Sequence, residues 1–529
     1  MRVAVAALEP TLQAACARWT DRPAITFAGR TITYAELWRE VEALARAYRR
    51  MGIRPGDRIV CQLRNCPEHV VAMNAAWACG AIHAGTDNDL TGGELAWIVE
   101  RTEAAVLVFQ PAPGAADPLE PLAAVRAARP QTQVVVHDAT PAPGQSQVAM
   151  TELLRQEGEE LPLAPAWPAP GQTGLLLLTS GTTGRPKAVM ESLRGCWAKM
   201  QFFADAFGPV PDDVHLLFLP MGHVFGLRLS MLALLSGGRL VLLDRFSPTE
   251  ALRLVTEEQV TVLPGMPTHF TLILDALDPQ RHDVSHLRWV LSAAASLPQG
   301  LVRRIYDTLG AEILYVYGCS ENFTTLTTDR EEILAGSVGR TVFAGPDGEP
   351  PDGTITVVRP DDHTPLPVGA VGEIAFGARG PVHYWRAPDA AVDGWYYTGD
   401  LGRIDTNGRI YVLGRLKELV NRGGLKVSPT EIEAAAGRHP GLADAAVIGT
   451  PDPVLEEAIC LCVVPAGPDH PGLAELRSFL SESLARHKLP DEVAVVGAIP
   501  RTKIGKVDRP ALALAVEAAG GPIERLRPR

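Results

Sequence analysis

The sequence lacks several features that mark membrane-embedded, secreted or nucleic-acid-coating proteins. Basic residues are in the minority: 49 Lys and Arg stand against 61 Asp and Glu, which gives a formal net charge of −12. This balance argues against a surface that coats nucleic acid, because such binding requires clustered Lys and Arg. No apolar run is long enough for a membrane helix, and the run within residues 1–9 is too short for a signal peptide. We therefore expect a cytoplasmic chain without membrane insertion and without a nucleic-acid partner.

Cysteine is scarce and scattered. None of the cysteines forms a C-x-x-C pair or a zinc-finger spacing. Several lie in apolar runs, which favours buried free thiols in a reducing compartment. The eight cysteines are Cys16, Cys61, Cys66, Cys79, Cys196, Cys319, Cys460 and Cys462.

The length of 529 residues exceeds what one hydrophobic core supports, so at least two domains are expected. Helical and strand patterns alternate through residues 58–109 and 213–317, which is typical of parallel strands with crossover helices. Short β-runs between residues 339 and 410 indicate a small barrel or antiparallel sheet. We predict an α/β fold with doubly wound parallel sheets and a small β-barrel-like subdomain in residues 1–414. A small, mobile α+β domain is expected to occupy residues 415–529.

A loop rich in glycine and hydroxyl groups follows the buried strand predicted at Leu175–Leu178. Small residues let backbone N–H groups approach phosphate oxygens, and a lysine adds positive charge. The segment differs from a Walker A loop because Pro186 precedes its lysine and no Ser or Thr follows. It predicts a phosphate site, with an exposed turn as the alternative. The candidate residues are Thr179, Ser180, Gly181, Thr182, Thr183, Gly184 and Lys187.

Three charged residues follow predicted strands. Glu321 comes after a strand whose carboxyl end is where open α/β sheets bind ligands, and its carboxylate suits Mg²⁺; a solvated loop residue is the alternative. Asp400 suits the hydroxyls of a ribose, or it closes an Asx turn. Arg415 suits ribose or phosphate, or it forms an ordinary surface ion pair.

Two further stretches carry candidate residues with equally plain alternatives. The basic segment Pro500–Arg509 resembles a hairpin, and a lysine there could neutralise charge that develops on a reacting phosphate. Its alternative is a solvated basic turn. His223 could line a pocket, or it could be a structural histidine beside an apolar helix.

Taken together, these motifs resemble the adenylate-forming (ANL) superfamily in order and approximate spacing. That superfamily comprises acyl- and aryl-CoA synthetases, adenylation domains of peptide synthetases and firefly-type luciferases. The resemblance extends from about residue 20 to residue 510. The matching motifs are Thr179–Lys187, Pro220–His223, Tyr317–Glu321, Thr398–Asp400, Gly414–Glu418 and Pro500–Lys506.

The resemblance implies a two-step reaction that uses ATP, Mg²⁺ and coenzyme A. A carboxylate attacks the α-phosphate to give an acyl-adenylate and pyrophosphate, and a nucleophile, usually a thiol, then displaces AMP. The implied nucleotide contacts are Thr179 to Lys187 for the pyrophosphate end, Ser320 for the α-phosphate, Glu321 for Mg²⁺, Tyr317 and Gly318 near adenine, and Asp400 and Arg415 at the ribose.

The small domain contributes the remaining implied roles. Lys506 matches the superfamily's adenylation lysine, and Lys417 lies at the hinge position. Rotation about the hinge would withdraw Lys506 for the second step. Gly423 and Gly424 would then let the acceptor's pantetheine arm pass close to the backbone. The resemblance implies catalytic roles for Lys506, Glu321, Ser320 and His223.

The expected substrate pocket is largely apolar. It comprises His223, Phe225, Gly226, Ala293, Ala294 and Cys319. No Asp stands in residues 221–226, where amino-acid-activating domains place one, so an aryl or aliphatic acid is favoured. The chain departs from the common pattern at Ala188, Glu191, Leu193, Ala293 and Ser296.

The leading hypothesis is therefore a carboxylate–CoA ligase acting on a small-molecule acid, as a monomer or homodimer. The first alternative is a stand-alone adenylation enzyme whose acceptor is a carrier-protein thiol, an amine or another nucleophile. A second is a catalytically silent nucleotide-binding or scaffold protein. The intact set of Glu321, Asp400 and Lys506 argues against this last hypothesis.

Overall fold

The computed structural model describes most of the chain in side-chain detail. It covers residues 8–525 except 89, 142–146, 156–170, 180–186, 322, 341–354, 378–382, 389–390, 393 and 503–505.

The helices are α1 Leu12–Arg18, α2 Tyr34–Arg50, α3 Pro67–Ala78, α4 Gly92–Thr102, α5 Pro121–Ala128, α6 Met150–Arg155, α7 Leu193–Phe207, α8 Val224–Leu235, α9 Pro248–Glu257, α10 Pro267–Ala276, α11 Gln299–Leu309, α12 Arg330–Leu334, α13 Pro429–Ala436, α14 Leu473–Ser481 and α15 Arg509–Ala518, with 3₁₀ turns at Leu416–Glu418 and Arg486–Lys488.

The strands are β1 Pro23–Phe27, β2 Arg30–Thr33, β3 Arg58–Gln62, β4 Ile82–Gly85, β5 Val106–Phe109, β6 Gln133–Val136, β7 Gln147–Ala149, β8 Thr173–Thr179, β9 Lys187–Ser192, β10 Val214–Leu217, β11 Arg239–Leu242, β12 Val262–Gly265, β13 Trp289–Ser292, β14 Glu312–Gly318, β15 Phe323–Thr327, β16 Ile355–Val358, β17 Gly372–Gly377, β18 Trp395–Ile404, β19 Ile410–Arg415, β20 Val420–Arg422, β21 Leu425–Val427, β22 Leu442–Asp452, β23 Glu456–Pro465, β24 Glu492–Val495 and β25 Glu524–Arg525.

Two mostly parallel sheets form the large domain, as the alternating pattern predicted. One has the strand order β15-β14-β13-β12-β10-β11-β1-β2 and the other β7-β6-β5-β3-β4-β8-β9. The antiparallel pairs in them involve the edge strands β2, β9 and β15. Such sheets bury both faces under helices, which is why their strands are almost wholly apolar.

Two smaller sheets follow in the chain. Strands β16 to β19 form a four-stranded antiparallel sheet, which confirms the antiparallel texture predicted between residues 339 and 410. Strands β20 to β25 form a separate sheet with its own apolar core, packed with α13 and α14. The fold is thus α/β, with a large N-terminal domain and a small C-terminal domain. The boundary at residues 414 and 415, and the mobility of the small domain, stay predictions.

Local sequence explains the helices that frame the site. Helix α2 begins with a capping box in which Thr33 and Glu36 satisfy each other's backbone N–H groups, and it buries Leu37, Val41 and Leu44 on one face. Helix α8 is apolar except for Arg228 and Ser230, and both of these are buried with the rest of the helix from Gly226 onwards. Among the described residues, no helix combines the length and apolarity required to cross a bilayer.

Candidate active site

Asp400 is the centre of a hydrogen-bonded cluster built from three strands. The hydroxyl of Tyr317, near the end of β14, donates to its Oδ2 at 2.8 Å. The Nε of Arg415 lies 2.9 Å from Oδ1, because Asp400 and Arg415 are paired in register across β18 and β19. Burial and the adjacent carboxylate raise the pKa of Tyr317, so its phenol remains a proton donor. The structure therefore brings three of the predicted nucleotide-binding residues together.

The charges of this cluster act on Lys506, near the end of the chain. Burial lowers its pKa, the Arg415 guanidinium lowers it further, and the Asp400 and Glu418 carboxylates oppose the decrease. Its backbone N–H donates to the Thr502 hydroxyl at 3.2 Å. An antiparallel bridge joins residues 501 and 507, which matches the predicted hairpin-like segment.

Glu321 belongs to a second group at the same sheet edge. Its Oε1 accepts a hydrogen bond from the Tyr384 hydroxyl at 2.9 Å, and the Nζ of Lys187 lies 4.9 Å from the centre of the Tyr384 ring. Burial and the nearby carboxylate raise the pKa of Tyr384. Tyr396 links the two groups, because the charges of Glu321 and Asp400 both raise its pKa in addition to burial.

The remaining nucleotide candidates are only partly described. Ser180, Gly181, Thr182, Thr183 and Gly184 lie outside the described residues. The residues on either side of this segment are paired: Thr179 at the end of β8 lies in register with Lys187 at the start of β9. Gly318 ends β14, and Cys319 and Ser320 follow it; Cys319 and Ser320 are half-buried, and Gly318 is exposed.

Three of the six predicted substrate-pocket residues lie at the start of α8, and the others follow β13 and β14. His223 precedes this helix, and its Nε2 lies 2.7 Å from Oδ1 of Asp87. Gly226 is buried so closely that an added Cβ would lie 2.2 Å from the carbonyl oxygen of Pro220. Phe225 packs at the edge of the core. Ala293 is buried just after β13, whereas Ala294 is exposed with a φ of 69°.

The predicted hinge and acceptor residues lie in two turns that follow β19 and β20. Lys417 is exposed in the 3₁₀ turn between β19 and β20. Gly423 and Gly424 form the exposed turn between β20 and β21, with φ values of 57° and 80°. Both backbones are left-handed, which explains why glycine occupies this turn.

Sequence reasoning missed three side chains that the structure places at the site. Tyr384, Tyr396 and Asp87 carry no spacing signal of their own, although Tyr396 precedes Asp400 in the quoted aromatic run. Glu191 was noted only as a departure from the common pattern. In the structure it is 7% exposed and accepts hydrogen bonds from the buried Arg228, at 2.9 Å to each of its oxygens.

Two mostly parallel sheets and a small C-terminal domain, with Tyr317, Asp400 and Arg415 in one cluster, are compatible with the adenylate-forming fold. The chain belongs to the AMP-binding enzyme family: the model of that family matches residues 12–382, and the model of the AMP-binding enzyme C-terminal domain matches residues 431–506. It is thus an ATP-dependent adenylate-forming protein of the CoA-ligase-like group.

Two curated relatives are similar over almost the whole chain. Triostin synthetase I of Streptomyces triostinicus is 34% identical, with 96% of this chain and 94% of that protein covered. The 2-hydroxy-7-methoxy-5-methyl-1-naphthoate–CoA ligase of Streptomyces carzinostaticus is 31% identical, with 92% and 88% covered.

A solved structure supports the same fold. The crystal structure of ATP-bound MatB from Rhodopseudomonas palustris has a TM-score of 0.81 and 28% identity to this chain. The match covers 97% of this chain and 100% of that one.

Proposed function

We propose that this protein is an ATP-dependent carboxylate–CoA ligase that activates an aryl or aliphatic acid as its acyl-adenylate. The observation that supports this most strongly is the hydrogen-bonded cluster of Tyr317, Asp400 and Arg415, whose charges act on Lys506. A fixed carboxylate with a guanidinium beside it suits the ribose of a nucleotide, and a lysine that feels the same charges suits its phosphate. Positioning and charge stabilisation are the main contributions such an enzyme makes.

Asp400 is assigned to the ribose hydroxyls. Its two oxygens already accept from Tyr317 and Arg415, which hold the carboxylate in one orientation. A carboxylate has further lone pairs and can accept from a diol at the same time. Arg415 supplies additional donors to the ribose, and Tyr317 fixes the base side of the pocket.

Lys506 is assigned to the first step. One oxygen of the substrate carboxylate attacks the α-phosphorus of ATP, the bond to the bridging oxygen breaks, and pyrophosphate leaves with the electron pair. The lysine ammonium stabilises the negative charge that accumulates as the substrate carboxylate approaches the α-phosphate. Lys187 and residues 180–186 are assigned to the departing pyrophosphate.

Glu321 is the residue that would hold Mg²⁺. Its carboxylate is half-buried and offers the hard oxygen donor that this ion prefers. When bound, the ion would neutralise phosphate charge. Tyr384, which donates to one Glu321 oxygen, orients the carboxylate for this role.

The second step uses a thiol as nucleophile. The thiolate attacks the acyl carbon, the mixed anhydride breaks, and AMP leaves with the electron pair. Gly423 and Gly424 are assigned to the passage of the pantetheine arm, because their exposed turn presents backbone without side chains.

Acceptors other than coenzyme A form the alternative to this proposal. Of the two curated relatives described above, one is named a CoA ligase and the other triostin synthetase I. A carrier-protein thiol, an amine or another nucleophile is therefore the alternative acceptor. The apolar surroundings of Phe225 and Ala293 support an aryl or aliphatic acid with either acceptor.

Pyrophosphate exchange over a panel of aryl and aliphatic acids tests the proposal. We expect acid-dependent exchange in wild type and its loss in Asp400→Ala, while Asp405→Ala, an aspartate of the same sheet, retains it. CoA is then added to each active acid, and thioester is expected. Exchange followed by no thioester would reject CoA as acceptor, and carrier protein and amines are tested in the same assay. No exchange with any acid would reject the ligase proposal.

A further inference from the structure

A polar cavity lies outside the candidate active site, between the two large sheets. It has a volume of about 150 Å³ and is lined at the carboxyl ends of strands β3, β5 and β6. Carboxyl ends of parallel strands are where open α/β sheets bind ligands. The residues assigned to the nucleotide, Asp400, Arg415 and Lys506, do not line it.

Three potential metal ligands converge in this cavity. Cys66 caps the start of α3, Glu68 lies in the first turn of that helix, and His137 directly follows β6. Their donor atoms all lie within 4.8 Å of one another. The Nε2 of His137 is 3.6 Å from Oε2 of Glu68, which is close to the separation of two ligands on one ion.

The His137 imidazole is buried and faces two carboxylates. The residue is 7% exposed, its Nδ1 has no hydrogen-bond partner, and its Nε2 lies 3.6 and 3.4 Å from the carboxylates of Glu68 and Asp138. Buried polar groups are normally satisfied, so a buried ring with one unpaired nitrogen is suited to a ligand that the protein itself does not supply. A cation bound by a ring nitrogen together with Cys66 and Glu68 would also balance the charge of the two carboxylates.

The charge of the lining also favours a cation. Four carboxylates face the cavity against two guanidinium groups: Glu40, Glu68, Asp138 and Asp244 against Arg30 and Arg64. The Asp138 carboxylate is itself held in place by a hydrogen bond from Gln110 Nε2 at 2.6 Å. Asp138 is therefore fixed beside His137, either as a fourth ligand or as an outer partner.

We propose that Cys66, Glu68 and His137 form a binding site for Zn²⁺ or a similar divalent transition metal. A thiolate, an imidazole and a carboxylate form a mixed donor set of the kind that zinc accepts, whereas Mg²⁺ and Ca²⁺ prefer oxygen alone. Binding releases the Cys66 thiol proton to solvent as the sulfur–metal bond forms. The ion would join the start of α3 to the end of β6. This site is independent of the proposed ligase activity.

Titration with Co²⁺, and separately with Zn²⁺, tests the site in the full-length chain. We expect one Co²⁺ per chain, with a thiolate-to-cobalt charge-transfer absorption. In Cys66→Ala that absorption should disappear. In His137→Gln the affinity for Co²⁺ should fall at least about tenfold, because even the loss of a residue that only supports a metal ligand lowers metal affinity by that factor. The matched controls Cys16→Ala, a buried thiol elsewhere, and His470→Gln, an exposed histidine, should bind like wild type.

Two results would overturn the assignment. One is wild type that binds neither ion stoichiometrically; the other is charge-transfer absorption that persists in Cys66→Ala. If a variant does not fold, X-ray absorption of zinc-loaded wild type decides the question. One sulfur ligand among nitrogen and oxygen ligands supports the site, and a shell without sulfur rejects it.

Discussion

At the residue scale, the orientation of Asp400 depends on its neighbours more than on its own sequence context. Its backbone N–H donates to the Thr398 hydroxyl at 2.9 Å, while Tyr317 and Arg415 contact its two oxygens. The motif that precedes Asp400 predicts an acid at this position. The phenol that orients the acid comes from β14, 83 residues away in the chain.

Removing the Tyr317 hydroxyl should weaken nucleotide binding. A hydrogen bond to a charged group contributes about 1.5–3 kcal/mol, so Tyr317→Phe should raise the KM for ATP about tenfold or more, with a smaller change in kcat. The control is Tyr411→Phe, because Tyr411 donates to Asp405 in the same sheet, at 3.2 Å. Equal KM values in the two variants would contradict the role of Tyr317.

At the residue scale, a candidate could be proposed from the sequence where one local motif contains it. Asp400, Arg415 and Glu321 could all be proposed from the stretches that contain them. Tyr384 could not, because its contact with Glu321 joins residues 63 positions apart. Cys66 and His137 were equally inaccessible, since their convergence depends on the order of β3, β5 and β6 in the sheet.

At the scale of elements, a buried ion pair ties β9 to α8. Glu191 and Arg228 are 7% and 4% exposed, and Lys199 of α7 also donates to Glu191, at 2.6 Å. Burial tends to raise the pKa of Glu191, yet Arg228 and Lys199 together lower it, so the carboxylate stays charged. Three elements around the site therefore meet at one carboxylate.

Replacing one partner of the Glu191–Arg228 pair should destabilise the protein strongly, whereas replacing both partners by apolar residues should destabilise it much less. Glu191→Leu leaves a buried guanidinium unpaired and should lower the free energy of unfolding by about 3–5 kcal/mol. The double variant Glu191→Leu/Arg228→Met should recover much of that loss in urea unfolding. Arg253→Met, which breaks an exposed pair with Glu250, should cost less than about 1 kcal/mol. A double variant as unstable as the single one would contradict this account.

Two glycines near helix starts should respond oppositely to alanine. In Gly226→Ala, the new Cβ meets the Pro220 carbonyl, so α8 must shift and stability should fall by about 1–3 kcal/mol. Gly300, in the first turn of α11, has open space around it, and Gly300→Ala should be neutral or stabilise by up to about 1 kcal/mol. Thermal unfolding compares the two alanine variants. Similar melting temperatures would show that the backbone around Pro220 moves aside without loss of stability.

The sequence predicts whether a segment is a helix or a strand better than it predicts which strands pair with each other. Strands such as Trp289–Ser292 follow from short apolar runs between helical patterns. Periodicity says nothing about which strands share a sheet, however. Strands β1 and β2, near the start of the chain, complete the sheet of β10 to β15, and no local signal marks this pairing.

At the scale of the whole molecule, Lys506 is predicted to belong to the small domain, whereas Asp400 and the segment of residues 179–187 belong to the large one. If the small domain rotates between steps, Lys506→Ala should reduce pyrophosphate exchange by about 10²–10³-fold. Thioester formation from supplied acyl-adenylate should largely survive. Lys488→Ala, a lysine of the same domain paired with Glu431, should affect neither step. Equal loss of both steps in Lys506→Ala would contradict the hinged assignment.

Stability should fall in acid because several histidines are buried in neutral form. Burial lowers the pKa of His69, His215 and His269 to about 4 from an ordinary value of 6.5. Between these values the unfolded chain binds protons that the folded chain excludes, so stability is lost as the pH falls from 6.5 towards 4. Over this pH range each imidazole lowers the free energy of unfolding by at most about 3 kcal/mol, because a shift of one pKa unit corresponds to about 1.4 kcal/mol.

Urea unfolding between pH 7.5 and 4.5 measures this dependence. His269→Gln should flatten the slope, because the His269 ring packs against the rings of Phe218 and Phe246 and burial lowers its pKa. His470→Gln, at an exposed position, should leave the slope unchanged. A slope that His269→Gln does not alter would assign the acid sensitivity to other groups.

Arg415 is both the last residue of β19 and the residue before the Leu416–Glu418 turn that leads into the small domain. Its guanidinium is bonded to Asp400, so the residue proposed to hold the ribose and the predicted hinge are adjacent in the chain. If the small domain rotates about that turn, we expect the change in backbone torsion to displace the Arg415 contact first. The proposed nucleotide contact and the orientation of the small domain would then depend on each other through a single peptide unit.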